Sequence, residues 1–288
     1  MIITTIGSFA DDNLRQARIA SVMGITSRGL FLQLSSERIA FLTLARARGP
    51  LTVNCSGNPD EFAAIRSGSK ILVRSNGMFF PETGLWIDSS QAYTWRTPAK
   101  PVHMPLADQC SARVTAVIDL LFSMQVAGRN MGLLPLLIPG AKTENTRRFQ
   151  TLTDAIKAAL RDRRSDIIMD NIQSLLGLGE GLTPSGDDFI LGFMLVLNRW
   201  GDAFLPELDR SLLNRQLLGM IYHKTTTLSA NLIECSLQEQ ADERLIGALD
   251  GLVTGTPEIL AVVENLTAWG KTSGIDAFSG MAFAIAAR

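Results

Sequence analysis

Residues 177–197 read Gly-Leu-Gly-Glu-Gly-Leu-Thr-Pro-Ser-Gly-Asp-Asp-Phe-Ile-Leu-Gly-Phe-Met-Leu-Val-Leu. Three alternating glycines lead into a helix start, because Thr, Pro and Ser are typical of a helix N-cap and first turn. Residues 189–200 are then apolar on almost every side, which predicts a central buried helix. The core of the C-terminal half of the chain is therefore expected around this helix, with a set of polar residues at its start.

Helical patterns continue on both sides of this segment. They cover residues 107–127, 149–160, 165–176, 205–248 and 275–287. A further helix is predicted to begin at Thr256-Pro257, with Thr256 as N-cap and Pro257 at the first helical position. The chain after residue 105 is therefore predicted to be mainly helical.

The first hundred residues have a different pattern, in which short apolar runs alternate with turn residues. The runs are residues 30–34, 38–44, 51–54, 70–74 and 85–87. Asn76-Gly77 between two of them is a hairpin signal, and short strands with frequent turns predict a small barrel or sandwich. Residues 97–101 break this pattern. We therefore predict an α+β protein with a β-rich domain over residues 1–100 and a mainly α-helical domain over residues 101–288.

Composition excludes several classes of function. The 27 Lys and Arg against 28 Asp and Glu give a net charge of −1 over 288 residues, which does not fit a nucleic-acid-binding protein. No run approaches the roughly 18–20 apolar residues of a membrane-spanning helix, and the N-terminus lacks the basic and apolar regions of a signal peptide. The 3 cysteines form no CxxC pair. We expect a cytoplasmic protein without disulfides, whose apolar surplus is covered by a partner chain.

The glycine-rich loop is the first candidate site. Gly179, Gly181 and Gly186 would let backbone N–H groups approach a ligand, and a helix N-terminus favours an anion. Thr183 and Ser185 would add hydroxyl groups. The spacing fits neither a Walker A loop nor a dinucleotide-binding fingerprint. The alternative is a plain glycine-rich connection with a capped helix.

A second segment repeats the first. Ser273-Gly274-Ile-Asp276 and a glycine four residues later match Ser185-Gly186-Asp-Asp188 and its following glycine. If each serine is an N-cap, each aspartate lies at the third helical position and can bind first-turn amides. These are either two capping boxes built by the same rules or two helix starts that converge on one anion site beside Lys271. Asp187 would be an extra acid that holds Mg²⁺, positions a basic group or faces solvent; no other cofactor is indicated.

The polar stretch at residues 225–231 is a third candidate. Thr225 and Ser229 are four residues apart and would share a helical face. Hydroxyls of this stretch, with Thr227 and Ser229 as site residues, would line a polar pocket between helices, unless they bind the backbone or cap a break in the helix. The 2 histidines, His103 and His223, indicate neither a metal site nor a catalytic triad.

These three segments together resemble a bacterial family that includes a subunit of oxamate carbamoyltransferase, the multi-subunit enzyme of anaerobic allantoin degradation. The resemblance is sharp over the C-terminal half of the chain. It implies carbamoyl transfer between carbamoyl phosphate and oxamate, with oxalurate and phosphate on the other side, and other subunits as partners. The family pattern commonly has Pro at the position of Glu180, and this departure leaves the role of Glu180 open.

On this basis we predict the site residues. The catalytic ones are Asp187, Asp188 and Asp276, and those that bind substrate or phosphate are Gly179, Gly181, Thr183, Ser185, Gly186, Thr227, Ser229, Lys271, Ser273 and Gly274. The chain lacks the phosphate loop of ordinary carbamoyltransferases, so part of the active site is expected on another subunit. The alternatives are a scaffold subunit without catalysis and a binding protein for a phosphate or carboxylate metabolite.

Overall fold

The computed structural model describes residues 1–102, 106–125, 131–138, 140 and 144–287. The chain forms two compact units, Met1–Pro98 and Ala99–Arg288. That each unit is an independently folding domain, with the boundary at residue 100, stays a prediction. Within the described ranges, no helix is both long enough and apolar enough to cross a membrane.

The first unit is a closed barrel with an added strand. Its elements are β1 (Ile2–Gly7), α1 (Ser8–Gln16), β2 (Ile19–Thr26), β3 (Gly29–Gln33), β4 (Ile39–Thr43), β5 (Thr52–Ser56), β6 (Lys70–Arg74), β7 (Gly77–Phe80), β8 (Leu85–Asp88) and β9 (Tyr93–Trp95). The strand order is β5-β4-β3-β2-β6-β7-β8-β1, and β1 pairs again with β5 to close the barrel. Strand β9 runs parallel to the second half of β1.

Alternating burial accounts for the barrel strands. Along β3 and β6 the buried side chains point inward and join a core that includes Leu30, Leu32, Ile71 and Val73. The predicted hairpin is present, since Arg74 pairs with Gly77 across the Ser75-Asn76 turn. Prediction of an α+β fold with a barrel-like N-terminal part is confirmed. Strands β1, β2, β7 and β9 and helix α1 were not among the predicted runs.

The second unit is helical. Its α-helices are α2 (Ala107–Gln125), α3 (Glu144–Arg161), α4 (Ser165–Leu175), α5 (Ser185–Phe204), α6 (Arg210–Lys224), α7 (Thr227–Leu237), α8 (Glu243–Thr254), α9 (Ile259–Ala268) and α10 (Ser273–Ala286). The pattern at residues 205–248 is thus divided among α6, α7 and the start of α8. The predicted helix start at Thr256 is wrong, because α9 begins after Glu258 and the Thr254 hydroxyl bonds the backbone of Thr256 in a turn.

Helix α5 is the centre of this unit, as predicted. Every residue from Gly186 to Gly201 is buried. The buried residues include Arg199, which the sequence pattern did not reveal as a core residue. Its guanidinium makes two hydrogen bonds to the Asp250 carboxylate on α8, of 2.9 and 2.8 Å, and Trp200 Nε1 donates to the same carboxylate. A buried charge is tolerated when it is paired in this way.

Helices α5 and α10 pack at unusually close range. A Cβ at Gly192 would lie 1.9 Å from the Ala277 carbonyl oxygen, and one at Gly280 would lie 2.0 Å from that of Phe189. Both oxygens are backbone atoms, which cannot move away by a change of side-chain rotamer. Glycine at both positions is therefore a condition of this packing, and the starts of the two helices are brought together by it.

We predict that Gly192→Ala lowers the free energy of unfolding by about 1–3 kcal/mol or more, since α5 and α10 must separate to admit the methyl group. Urea unfolding of the full chain measures this change. Gly219→Ala on α6 is the matched control, because a Cβ there meets nothing within 4 Å, and we expect it to stabilise by roughly 0.4–1 kcal/mol. Equal effects of the two substitutions would contradict the packing argument.

Candidate functional site

The site begins with the loop between α4 and α5. Its residues from Gly179 to Leu182 are exposed. Gly179 has φ +124°, and a Cβ there would lie 2.7 Å from the Ser185 amide nitrogen. The alternating glycines therefore let this loop fold back against the start of α5.

The Asp187 carboxylate holds this loop in position through hydrogen bonds. Its Oδ1 accepts a 2.8 Å hydrogen bond from the Gly177 N–H, and its Oδ2 accepts one from the Thr225 hydroxyl at the end of α6. Burial raises the pKa of Asp187, while these donors and Ser229 lower it. Asp187 is only 1% exposed. It does not face solvent, and its geometry is that of a residue that positions the loop against the α6–α7 junction.

The first turns of α5 and α10 differ from the predicted caps. The N-caps are Pro184 and Thr272, neither of which makes a side-chain cap bond, so Ser185 and Ser273 are the first helical residues. The Gly186 N–H donates to the Leu178 carbonyl and the Gly274 N–H to that of Trp269. The Asp188 and Asp276 amides bond the carbonyl groups of their own N-caps. Phosphate binding by these four amides stays a prediction, and it would require the chain's own hydrogen bonds to break.

The serine and aspartate side chains reach across to the other helix. Ser185 Oγ on α5 donates a 2.9 Å hydrogen bond to Asp276 Oδ2 on α10. Asp276 Oδ1 accepts a 2.6 Å bond from the Leu133 N–H. The Thr183 and Ser273 hydroxyls lie 3.0 Å apart. The two helix starts therefore share one polar cluster, which consists of Thr183, Ser185, Asp188, Ser273 and Asp276.

The sequence repeat corresponds to a structural repeat. The first glycine of each copy, Gly186 or Gly274, packs against a carbonyl oxygen near the end of the preceding helix; a Cβ would lie 2.0 Å from Leu175 O or Leu266 O respectively. The second glycine of each copy packs against the opposite helix, as described above. The pairs α4–α5 and α9–α10 are therefore two related helix–loop–helix units that face each other.

Asp188 is the least satisfied member of the polar cluster. It is 2% exposed, and its Oδ2 is buried without a hydrogen-bond partner among the described residues. Burial and the neighbouring Asp276 raise its pKa well above the usual range, while the Ser273 and Thr183 hydroxyls lower it. Burial likewise raises the pKa of Asp276 to about 6, against the lowering effect of its donors.

The three buried aspartates have no cationic partner in the described part of the chain. The salt bridges there involve none of Asp187, Asp188 and Asp276. Lys271 is exposed, two residues before Ser273. Desolvated carboxyl groups without a cation favour the protonated form.

The remaining predicted residues lie around this cluster. Ser229 Oγ and Thr226 Oγ1 both reach the Leu182 carbonyl, at 3.5 and 2.6 Å, and Thr226 also caps α7. Thr227 is half-buried at the first position of α7. Glu180 and His223 are exposed, and His103 lies outside the described residues. Thus the hydroxyls that meet the loop are those of Thr226 and Ser229, and Thr225 binds Asp187.

Sequence reasoning missed the contribution of Gly132 and Leu133. A Cβ at Gly132 would lie 2.0 Å from Asp276 Oδ1, so the adjacent Leu133 N–H reaches that carboxyl only because residue 132 is glycine. The only sequence signal was a glycine before an apolar, proline-containing connector. Nothing in it pointed to a residue 143 positions further along the chain.

The raised pKa values predict how stability depends on pH. Each carboxyl holds its proton more tightly in the folded chain than in the unfolded chain, so the free energy of unfolding falls as pH rises from about 4 through 6 and beyond. The shift of Asp276, from 3.8 to about 6, corresponds to a loss of the order of 3 kcal/mol. Asp188→Asn should flatten this fall and stabilise the chain at pH 8.

Urea unfolding at several pH values between 4 and 8 measures the effect. Asp119→Asn on the exposed side of α2 is the control and should keep the pH dependence of the unsubstituted chain. Parallel pH curves for Asp188→Asn and the unsubstituted chain would contradict the assignment.

Comparison with known proteins bears on the segment that contains this cluster. No solved structure matches the chain. The match is to a family model and runs from the last residue of α4 almost to the end of α10. It includes the glycine-rich loop, the α6–α7 junction and both copies of the repeat. Residues 175–285 thus match the family of oxamate carbamoyltransferase subunit AllH, which confirms the resemblance found in the sequence.

Proposed function

We propose that this chain is a subunit of a hetero-oligomeric oxamate carbamoyltransferase and contributes residues to its active site. The reaction interconverts oxamate plus carbamoyl phosphate with oxalurate plus phosphate, as in anaerobic allantoin degradation. The observation that carries the proposal is the family match over residues 175–285. This segment holds every predicted site residue and all five residues of the polar cluster. The Leu133 N–H, which donates to Asp276, lies outside it.

The chemistry needs positioning more than covalent help. In one direction the oxamate nitrogen attacks the carbamoyl carbon, the bond from that carbon to the phosphate oxygen breaks, and the nitrogen loses a proton. In the other direction a phosphate oxygen attacks the carbamoyl carbon of oxalurate and oxamate leaves with a proton on nitrogen. Holding both reactants in line accounts for much of such a rate enhancement. Hydroxyls of Thr183, Ser185 and Ser273 are suitable positioning groups.

Charge supports a shared active site. Phosphate and the oxamate carboxylate are anions, whereas the polar cluster contains two buried carboxyl groups and Asp187 lies next to it. Lys271 is the cation that its sequence position brings near Ser273, and further cations for the anionic groups would come from a partner subunit. We therefore expect the isolated chain to be inactive.

Within the described ranges, no group of three or more His, Cys, Asp or Glu side chains is arranged to hold a metal ion. Both oxygens of Asp187, the residue considered for Mg²⁺, accept hydrogen bonds from the chain itself.

A scaffold subunit is the second candidate, and specific contacts favour it. The repeat glycines serve close packing, and first-turn amides of both helices bond the chain's own carbonyl groups. In that case the chain would be needed for assembly of the enzyme, and its hydroxyls would not affect turnover.

Ser273→Ala separates the two candidates. The complex that co-purifies with the chain is assayed for phosphate release from oxamate plus carbamoyl phosphate. If the polar cluster contacts substrate, kcat/KM falls by about tenfold or more, the effect of a lost hydrogen bond to a charged group. Ser279→Ala is the matched control on the same helix, because the Ser279 hydroxyl donates to the Ile275 carbonyl one turn earlier and has no other hydrogen bond among the described residues.

Unchanged kcat/KM for Ser273→Ala in a fully assembled complex would contradict a role at the active site and support the scaffold. Loss of activity with both serine variants, or loss of assembly with Ser273→Ala, would also count against the proposal. Carbamoyl transfer by the partner subunits in the absence of this chain would exclude the proposal that the chain contributes residues to the active site.

A further inference from the structure

The internal repeat allows two equivalent carboxyl groups to be compared. Asp276 and Asp188 occupy the same position in their copies, are 0% and 2% exposed, and each faces the first serine of the other helix. Asp276 has two kinds of donor, the Ser185 hydroxyl on Oδ2 and the Leu133 backbone N–H on Oδ1. Both oxygens of this buried carboxyl group therefore accept a hydrogen bond.

Among the described residues, Asp188 has only the first kind of donor, a hydroxyl group. The Ser273 and Thr183 hydroxyls lie beside it, but in the described part of the chain no N–H takes the place of the Leu133 amide, and Oδ2 has no partner. A buried polar atom left without a partner costs about 1–3 kcal/mol. The repeat therefore defines the missing group, which is an N–H donor directed at Asp188 Oδ2.

We propose that Asp188 Oδ2 accepts a hydrogen bond from the NH₂ group of a primary amide or carbamoyl ligand. The inference rests on the proposed function for the identity of the ligand, since oxamate, carbamoyl phosphate and oxalurate share a terminal NH₂ next to a carbonyl. The sequence predicted a catalytic role for Asp188 beside an anion site at the two helix starts; the inference instead assigns Asp188 a contact to the uncharged end of the substrate.

The charges of the cluster favour this orientation. Asp188 lies next to Asp276 and Asp187, and none of the three forms a salt bridge within the described ranges. An anionic group at Oδ2 would be repelled or would require full protonation. An NH₂ group satisfies the oxygen whether the carboxyl is ionised or is a neutral acid with its proton on the other oxygen. The phosphate or carboxylate end then lies away from the buried acids.

Ligand access involves the glycine-rich loop. Oδ2 is buried, and half-buried Thr183, which lies beside Asp188, directly follows the exposed residues 179–182. Residues of that segment with positive φ, Gly179 and Gly181, have no side chain to obstruct a ligand. The NH₂ group is therefore expected to enter from the side of this loop.

The test uses pairs of ligands that differ only at the proposed contact. Pyruvate has a methyl group where oxamate has NH₂, and acetyl phosphate differs from carbamoyl phosphate in the same way. Calorimetry measures the Kd of each ligand, added alone, for the complex that co-purifies with the chain. We expect the NH₂ member of each pair to bind at least about tenfold more tightly. In Asp188→Leu this ratio should fall to near one, through weaker binding of the NH₂ member.

Asp187→Asn is the matched control, because both oxygens of Asp187 bond the chain itself. It should weaken both members of a pair by the same factor through the loosened loop. If Asp188→Leu does not fold, as judged by circular dichroism and gel filtration, Asp188→Asn replaces it. Its amide is a weaker acceptor, so the ratio should fall at least about threefold.

Equal binding of the two members by the unsubstituted complex would overturn the inference, as would an unchanged ratio in the folded Asp188 variant. So would a loss that affects both members equally. Since each ligand is added alone, these results do not depend on turnover. A complex that discriminates through Asp188 but transfers no carbamoyl group would refute the proposed function and leave the NH₂ contact intact.

Discussion

Helices α5 and α10 cross at a distance that only glycine allows, and the rest of the site depends on this crossing. Gly192 and Gly280 each face a backbone carbonyl of the opposite helix, so neither contact can relax by a side-chain rotation. The crossing places the first turns of the two helices side by side. Ser185 can then reach Asp276, and Ser273 lies beside Asp188. Close helix packing and the polar cluster therefore both follow from the repeated sequence. Its glycines allow the two helices to approach, and its serines and aspartates contact each other across the two helix starts.

Burying the carboxyl groups of the polar cluster and of Asp187 destabilises the fold. Burial raises the pKa of Asp187, Asp188 and Asp276, and no salt bridge compensates them in the described part of the chain. By contrast, the buried Arg199 is paired with Asp250 through two hydrogen bonds. The buried Arg199 thus has a partner of opposite charge, whereas the three buried aspartates have none among the described residues. Buried carboxyl groups with strongly shifted pKa values and no cationic partner are typical of sites that bind a ligand.

Sequence patterns predicted the buried α5, the barrel-like N-terminal unit and the repeat, because each depends on local periodicity, turn residues or spacing. They did not predict which atoms the repeat brings together. The serines were expected to cap their own helices, but Pro184 and Thr272 hold those positions and the serines bond the opposite helix. That outcome depends on which helix each copy of the repeat packs against, and the spacing within one copy does not specify this. The Leu133 N–H at Asp276 and the Thr225 hydroxyl at Asp187 are likewise tertiary contacts, from distant parts of the chain.

The central claim is that the paired helix starts hold the substrate. An experimental structure of the assembled enzyme with oxamate bound tests it most directly. The account predicts the oxamate nitrogen at a hydrogen-bonding distance of about 3 Å from Asp188 Oδ2, with the carboxylate turned toward cations of Lys271 or a partner subunit. Oxamate bound entirely by other subunits, with Asp188 Oδ2 still enclosed and without a partner, would contradict the account and leave this chain a scaffold.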